Sequence, residues 1–373
     1  MRPLWNKTIQ PKGLIIIILT LITTWIFFCH RAENQQLTSR KAQVSNPPTV
    51  ASLPESRTNS ARTAPASLAQ HRTMLLNSRY GKGRIEDLLE ALIKAPGGPD
   101  VQIMFQALAL RKQEALPIIK TRLRKGEVWE KHLLTKFLRL CPWPEAREEL
   151  LALTRAENGH WLPRQGAVYA LGSLGDVTVG PDVLLVLNSP KTPLNLQMAA
   201  ISTLARIGFT AAVPTITPFT QAENPHIRLF ATRALTELGQ PIDETYLFSA
   251  IKSDDYVIRQ EASEALWKID GQSVADALGR LAAQDSNEAV RDGASQALLR
   301  RELEDHHDQS GKVDILRKSL DHAERLTATW ILRTALDQLG DEGHRFVEGI
   351  ASRDDFLGER ARAYIIFADS RTL

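Results

Sequence analysis

Residues 253–269 read SDDYVIRQEASEALWKI, and their spacing decides the fold class. Ala262, Ala265, Leu266 and Ile269 stand at i, i+3, i+4 and i+7, which places them on one stripe of an α-helix. Alanine at two of those positions lets a neighbouring helix approach closely. Asp255, just ahead of the run, suits a helix start, where a carboxylate caps free N–H groups and favours the positive helix end. Asp270-Gly271 breaks the run, and a second apolar stretch, Val274–Ala283, follows.

The same stripe recurs on both sides. It is Ala167, Ala170, Leu171, Leu174 upstream, then Ala200, Thr203, Leu204, Ile207, then Ala231, Ala234, Leu235, Leu238. Downstream it is Ala294, Ala297, Leu298, with weaker copies at Leu108, Leu138 and Leu336. The anchoring leucines at 108, 138, 171, 204, 235, 266, 298 and 336 are 30, 33, 33, 31, 31, 32 and 38 residues apart. In register, Ile216, Leu247 and Leu278 repeat on the second helices. Each unit is then a helix pair with an apolar face that it cannot bury alone, and stacking buries it. The expected fold is all-α, a right-handed α-solenoid of about eight helix pairs.

Ser253–Ala262, Asp285–Ala294, Asn224–Ala231 and Asp355–Arg360 carry a resemblance to HEAT repeats of the short bacterial kind, also called PBS-lyase HEAT-like. The resemblance spans residues 84–373 and is strongest over 164–300. It implies the solenoid architecture and leaves function open, since such units serve many binding roles. In that family the recurring Arg bonds an Asp of an adjacent unit to form a ladder. Arg164, Arg228, Arg259, Arg291 and Arg360 are accordingly expected to be structural, an anion-binding stripe being the competing reading.

The chain has 373 residues, 43% of them hydrophobic, 24% charged and 6% aromatic, which excludes collagen-like and wholly disordered chains. Two cysteines, Cys29 and Cys141, exclude a disulfide framework or a four-cysteine zinc site. The net charge of +3 hides a split. Residues 1–82 hold eleven Lys or Arg against two acids, whereas the remainder carries −6. A nucleic-acid partner would favour positive charge on the folded part, so none is expected.

Residues 14–29, LIIIILTLITTWIFFC, follow Arg2, Lys7 and Lys12. A helix over 13–30 with snorkelling flanks can span a bilayer. The bulky Ile26-Phe27-Phe28 before Cys29 does not suit a cleavage or lipoprotein site, so an uncleaved signal anchor fits best. The leading cations favour an N-terminus in the cytoplasm, with the rest in a bacterial periplasm. The organisation reads as anchor 1–30, disordered basic Ser/Thr/Pro/Ala-rich linker 31–80, and repeat domain 81–373.

Partner contacts are expected from loop aromatics Trp143 and Trp161, and from Tyr246 and Phe248 on a second helix. In HEAT-type proteins second helices line the concave face, so those two would flank a shallow pocket there. Pro218 should kink the helix over 212–221. The spacing of 38 before Leu336 reads as an insertion at Glu302–Gly311, whose His306 and His307 are the best metal ligands in sight without making a convincing site. No Gly-rich phosphate loop, nucleophile elbow, HExxH or CxxC occurs, and Cys141 with His132 lacks a base partner. No cofactor, metal or catalytic residue is expected. The function read from this is a membrane-anchored protein-interaction scaffold, the alternative being an enzyme or enzyme subunit of the HEAT-like lyase type.

Overall fold

The structure is a computed structural model describing residues 67–94 and 100–372. Segment 13–30 and most of the 31–80 linker lie outside the described residues. Among those described, no helix is long and apolar enough to cross a membrane. One compact unit extends from Thr63 to Leu373. It begins earlier than the linker boundary at 80 implies. Ser67 caps a helix Leu68–Asn77 in a reciprocal capping box with Gln70, and His71 and Leu75 are buried. In sequence Leu68–Leu76 reads as a helical turn or two ahead of the folded part; in the structure that helix belongs to the unit.

Every described element is helical, and the helices form two layers. The first helices of the pairs are Val101–Leu110, Val128–Leu140, Trp161–Leu174, Leu194–Arg206, Pro225–Glu237, Tyr256–Ala265, Glu288–Glu304, Arg325–Gln338 and Phe356–Asp369. From Val128–Leu140 onward successive members pack side by side, and each second helix packs on the first helix that follows it. Asn224, Asp255, Asn287 and Asp355 each accept from first-turn N–H groups of the helix they precede. Gly208 and Gly239 end two of these helices with φ of 68° and 71°, a backbone state that costs glycine nothing. The expected stripe is the core: Ala262, Ala265 and Leu266 are fully buried, as are Ile216, Leu247 and Leu278.

Two features of the sequence reading change. The late stripe is Ala328, Ile331, Leu332 and Ala335, all buried, whereas Leu336 is half-exposed. Leu332, not Leu336, is the anchor, and the apparent insertion disappears. Glu302–Glu304 finish a helix of 17 residues and Gln309–Gly311 begin the next, so only Asp305–Asp308 form a loop. Pro218 acts as its missing N–H dictates: the helix Val213–Ile216 tightens into a 3-10 turn over Thr217–Gln221.

The stack also closes on itself. The last helix, Phe356–Asp369, packs beside Val101–Leu110 near the start of the unit. Ala363, Ile366 and Phe367 join the apolar cluster of the first helices, while Ala361 and Ile365 join the cluster over 299–351. Trp143 Nε1 donates to Ser370 Oγ at 3.1 Å, Cys141 Sγ lies 2.8 Å from the same oxygen, and Arg72 pairs with Asp369. An open solenoid needs a polar cap on each terminal unit. Here the two apolar ends cover each other.

Candidate functional site in the ring lumen

The closed stack brings the first helices around a common interior. Arg233 anchors it. Its guanidinium reaches Glu237 at 3.0 Å on its own helix, and Glu261 and Glu264 of the next at 2.9 and 2.6 Å. Gln260 Nε2 donates to Glu264 Oε1 at 3.2 Å. Burial, then repulsion from Glu264 and Glu237, outweighs the attraction of Arg233 and pushes the Glu261 carboxyl up to about 7. The three carboxylates raise Arg233 further above its ordinary range, against its burial.

Four more arginines face the same space without an ion pair or hydrogen bond to a described residue: Arg139, Arg206, Arg300 and Arg333. Arg139 stacks on Tyr169 at 4.6 Å. Arg300 lies between Trp267 and Trp330, 5.7 and 5.5 Å from their ring centres. Burial, with the charge of Arg333, holds Arg139 below its ordinary range. Burial lowers Arg206 too, followed by repulsion from Arg139; Glu237 pulls the other way, and Arg333 and Arg233 add repulsion. Since Arg139 and Arg333 sit on helices three places apart around the ring, their mutual influence places both in its interior. Arg139 and Arg206 are nonetheless open to solvent. Open to water yet enclosed by protein describes the wall of a recess.

Stacking the repeats exposes the signal that could have found this wall. Arg139, Trp267 and Arg333 each follow an anchoring leucine, and Arg206, Glu237, Lys268 and Arg300 lie two residues after one. Tyr169, Arg233 and Glu264 lie two before. These columns are polar or aromatic in a stretch of helix whose neighbouring columns are core.

The residues expected to bind partners divide. Trp143 is fully buried, edge-on to Phe137 at 5.1 Å, in the seam where the ring closes. It therefore cannot anchor a partner, and the Pro-rich loop around it is a closure device. Trp161 is exposed at a first turn, stacked on His160. Tyr246 and Phe248 are half-buried on an outer helix, Glu244–Ala250. Tyr246 donates to Pro225 O at 3.2 Å, beneath Arg228. They flank no concave pocket, because closure puts the first helices inside.

The arginine ladder is partial. Arg259 forks onto Asp285 at 2.9 and 2.9 Å, and Arg291 onto Glu324 at 2.7 and 3.2 Å. Arg164 and Arg228 instead donate to main-chain carbonyls, of Thr154 and Ala222. Arg259 and Arg291 also do this, to Ser253 O and Asp285 O. The shared role is to hold the turn before the helix. Arg360 departs from it and lies 5.1 Å from the Phe356 ring. Other cross-repeat pairs, Arg147–Asp176 and Arg155–Asp182, escaped the sequence reading because they sit outside the repeating motif.

Carboxylate oxygens of Glu288, Asp292 and Glu324 lie within 4.8 Å of one another. Asp292 is buried, accepts from Thr327 N at 2.7 Å, and is raised by burial and by Glu324 and Glu288. Arg291 already neutralises Glu324, which weakens the group as a cation site. His306 bonds Glu302 O at 3.0 Å and stands apart from these carboxylates, as does His307. Cys141 is buried in the seam, which pushes its thiol up to about 11 and removes it as a nucleophile.

One edge of the ring is apolar. Val128, Trp129, Trp161, Tyr256 and Leu326 occupy the first turns of four first helices, and each is between 36% and 52% exposed. Hydrogen bonds between helix starts, Gln165 to Asn195 O at 3.2 Å and Asp292 with Thr327, show that the helices beginning at Trp161 and Leu194 run parallel, as do those beginning at Glu288 and Arg325. By the repeat, all four first turns fall at the same end of the stack, with Val128, Trp129 and Trp161 on neighbouring helices and Tyr256 and Leu326 farther round.

The family model described as HEAT repeats matches residues 181–255 and 244–337. No curated protein matches the chain in sequence. Among solved structures, one similar chain belongs to the complex of CpcE and CpcF of phycocyanin lyase from a Nostoc species. It is 19% identical with a TM-score of 0.45, over 72% of this chain and 98% of that one. Another is human deoxyhypusine hydroxylase in complex with glycerol, 17% identical with a TM-score of 0.28, over 68% and 96%.

Proposed function

Residues 181–337 are HEAT repeats, and from that premise we propose that the protein is a membrane-anchored scaffold that binds other proteins through the apolar rim of its ring. The observation that carries this reading is the exposure of Val128, Trp129, Trp161, Tyr256 and Leu326, each in the first turn of a first helix. Val128, Trp129 and Trp161 come from neighbouring helices, and adjoining large apolar side chains are seldom left bare on a soluble surface. Trp and Tyr are also the residues most enriched at binding hot spots. The anchor rests on the apolar run 14–29 and the cations before it, with the ring on the periplasmic side of a bacterial inner membrane. Tethering would raise the effective concentration of the ring near the bilayer.

The test is crosslinking in living cells with the full chain and with the Trp129→Asp, Trp161→Asp double variant. Partners captured by the first and lost by the second, at unchanged melting temperature, support rim binding. Identical capture by both removes the rim as the interface. Protease added to spheroplasts should degrade the ring; protection would place it in the cytoplasm.

A further inference from the structure

We propose that the lumen of the ring is a binding site for a compact polyphosphate, a chain of two or three phosphoryl groups either free or carried by a nucleotide. The site is independent of the rim. Arg139, Arg206 and Arg333 come from three different helices and lie near enough to repel one another, and Arg300 lies near Arg233. None of the four is ion-paired to a described residue, whereas Arg233 takes Glu237, Glu261 and Glu264, of which Glu237 also attracts Arg206 and Arg300. Five arginines against Glu237, Glu261 and Glu264 leave a lumen charge of +2 when those carboxylates are ionised.

An excess of that size matches a di- or triphosphate better than a monoanion. Enclosure on all sides by helices disfavours a long polymer, which would have to thread the ring. The guanidinium fork matches phosphoryl oxygens in pairs. Two of the forks are already oriented by aromatic faces, Arg139 by Tyr169 and Arg300 by Trp267 and Trp330. Orientation before binding lowers the entropy cost of capture. Retaining these cations costs the empty fold stability, since burial, then the charge of Arg139 on Arg206 and of Arg233 on Arg300, push both below their ordinary range against the pull of Glu237 and Glu264. A bound polyanion converts that cost into affinity.

The experiment is calorimetric titration of the full chain with sodium tripolyphosphate and, separately, with ATP, at low and at high salt. Binding of tripolyphosphate that weakens with salt is the expected result. Tighter binding of ATP identifies a nucleotide source, and equal or weaker binding identifies the free polyphosphate. In the Arg206→Gln, Arg333→Gln variant, affinity should fall at least about 100-fold, near tenfold for each guanidinium removed from the phosphoryl oxygens. Without ligand that variant should melt no lower than the parent, because it is relieved of like-charge repulsion. Should it fail to fold, Arg139→Gln serves instead, since that side chain is exposed and without a hydrogen-bond partner among the described residues. The proposal is overturned if neither anion binds the parent chain, or if affinity survives in the variants. A polyglutamate peptide that binds more tightly than tripolyphosphate would equally overturn it, by assigning the lumen to acidic protein segments.

Discussion

Replacing Phe367 by alanine tests whether the ring is closed. The ring of Phe367 is 2% exposed and belongs to the same apolar cluster as Phe105, Phe137 and the loop residue Trp143, more than 200 residues earlier in the chain. Truncating a buried Phe costs about 3–5 kcal/mol, the upper end applying where neighbours cannot collapse into the cavity. Here the helix is gripped on both sides, by the clusters at the start and at the end of the unit, so collapse is restricted. In a large domain each kcal/mol is worth about 2–4 °C, so the loss is roughly 10 °C. The sharper readout is where stability goes. A closed ring transmits the damage to both faces of the seam, so amide exchange should accelerate in Leu68–Asn77 and Val101–Leu110 as well as in Phe356–Asp369. Cys141, whose Sγ lies against Ser370 Oγ and 3.7 Å from Phe367 O, is a native reporter of the same event. It should resist thiol reagents in the parent chain and label rapidly in the variant, read residue by residue by mass spectrometry. A loss under about 1 kcal/mol, with faster exchange confined to the last helix, would mean an open stack with a frayed end and would refute closure.

Other substitutions probe the layers beneath. Arg259→Ala removes a bidentate pair with the buried Asp285 carboxylate and a bond to Ser253 O; a destabilisation of about 1.5–3 kcal/mol in denaturant melts is expected. The Arg259 hydrogen bonds hold Asp285 below its ordinary range, so this contribution is present at neutral pH and fades as pH falls through the folded-state pKa, below 3.8. Glu261 works in the opposite direction. With its folded pKa raised from 4.5 to about 7, the native state holds a proton that the unfolded chain has released, and stability should drop as pH rises between those values. Glu261→Gln should flatten that slope, which approaches about 1.4 kcal/mol per pH unit for one proton; an unchanged slope would sink the assignment. Gly166→Ala would drive a methyl group into Thr135 where two first helices meet, and a loss of about 1–3 kcal/mol in the same melts is expected.

Much of the fold was legible because it rests on local chemistry. The i, i+3, i+4, i+7 stripe, the Asn and Asp caps and the glycine stops act within one helix or one turn, and each appears where the residues place it. Errors arose where two registers both looked apolar. Leu336 resembles an anchor in isolation, but helix Arg325–Gln338 turns Leu332 to the core. The candidate sites were less legible. Trp143 reads as a loop aromatic until the last helix covers it. Arg206 and Arg333 read as two unrelated helix-surface cations, since nothing in a linear stripe tells which face looks inward.

Residue order is enough to make this chain a stack of helix pairs, to mark where most pairs begin and end, and to pick out most of the core. Those properties follow from helical periodicity and capping, which act over a few residues. That the stack closes, that Trp143 is sealed in the seam and that five arginines meet in one lumen are properties of the assembled fold. Closure depends on small rotations between neighbouring pairs, set by how alanine and leucine faces interlock and summed over the whole array. No single repeat encodes that sum, so the lumen and its charge emerge only when the last helix reaches the first.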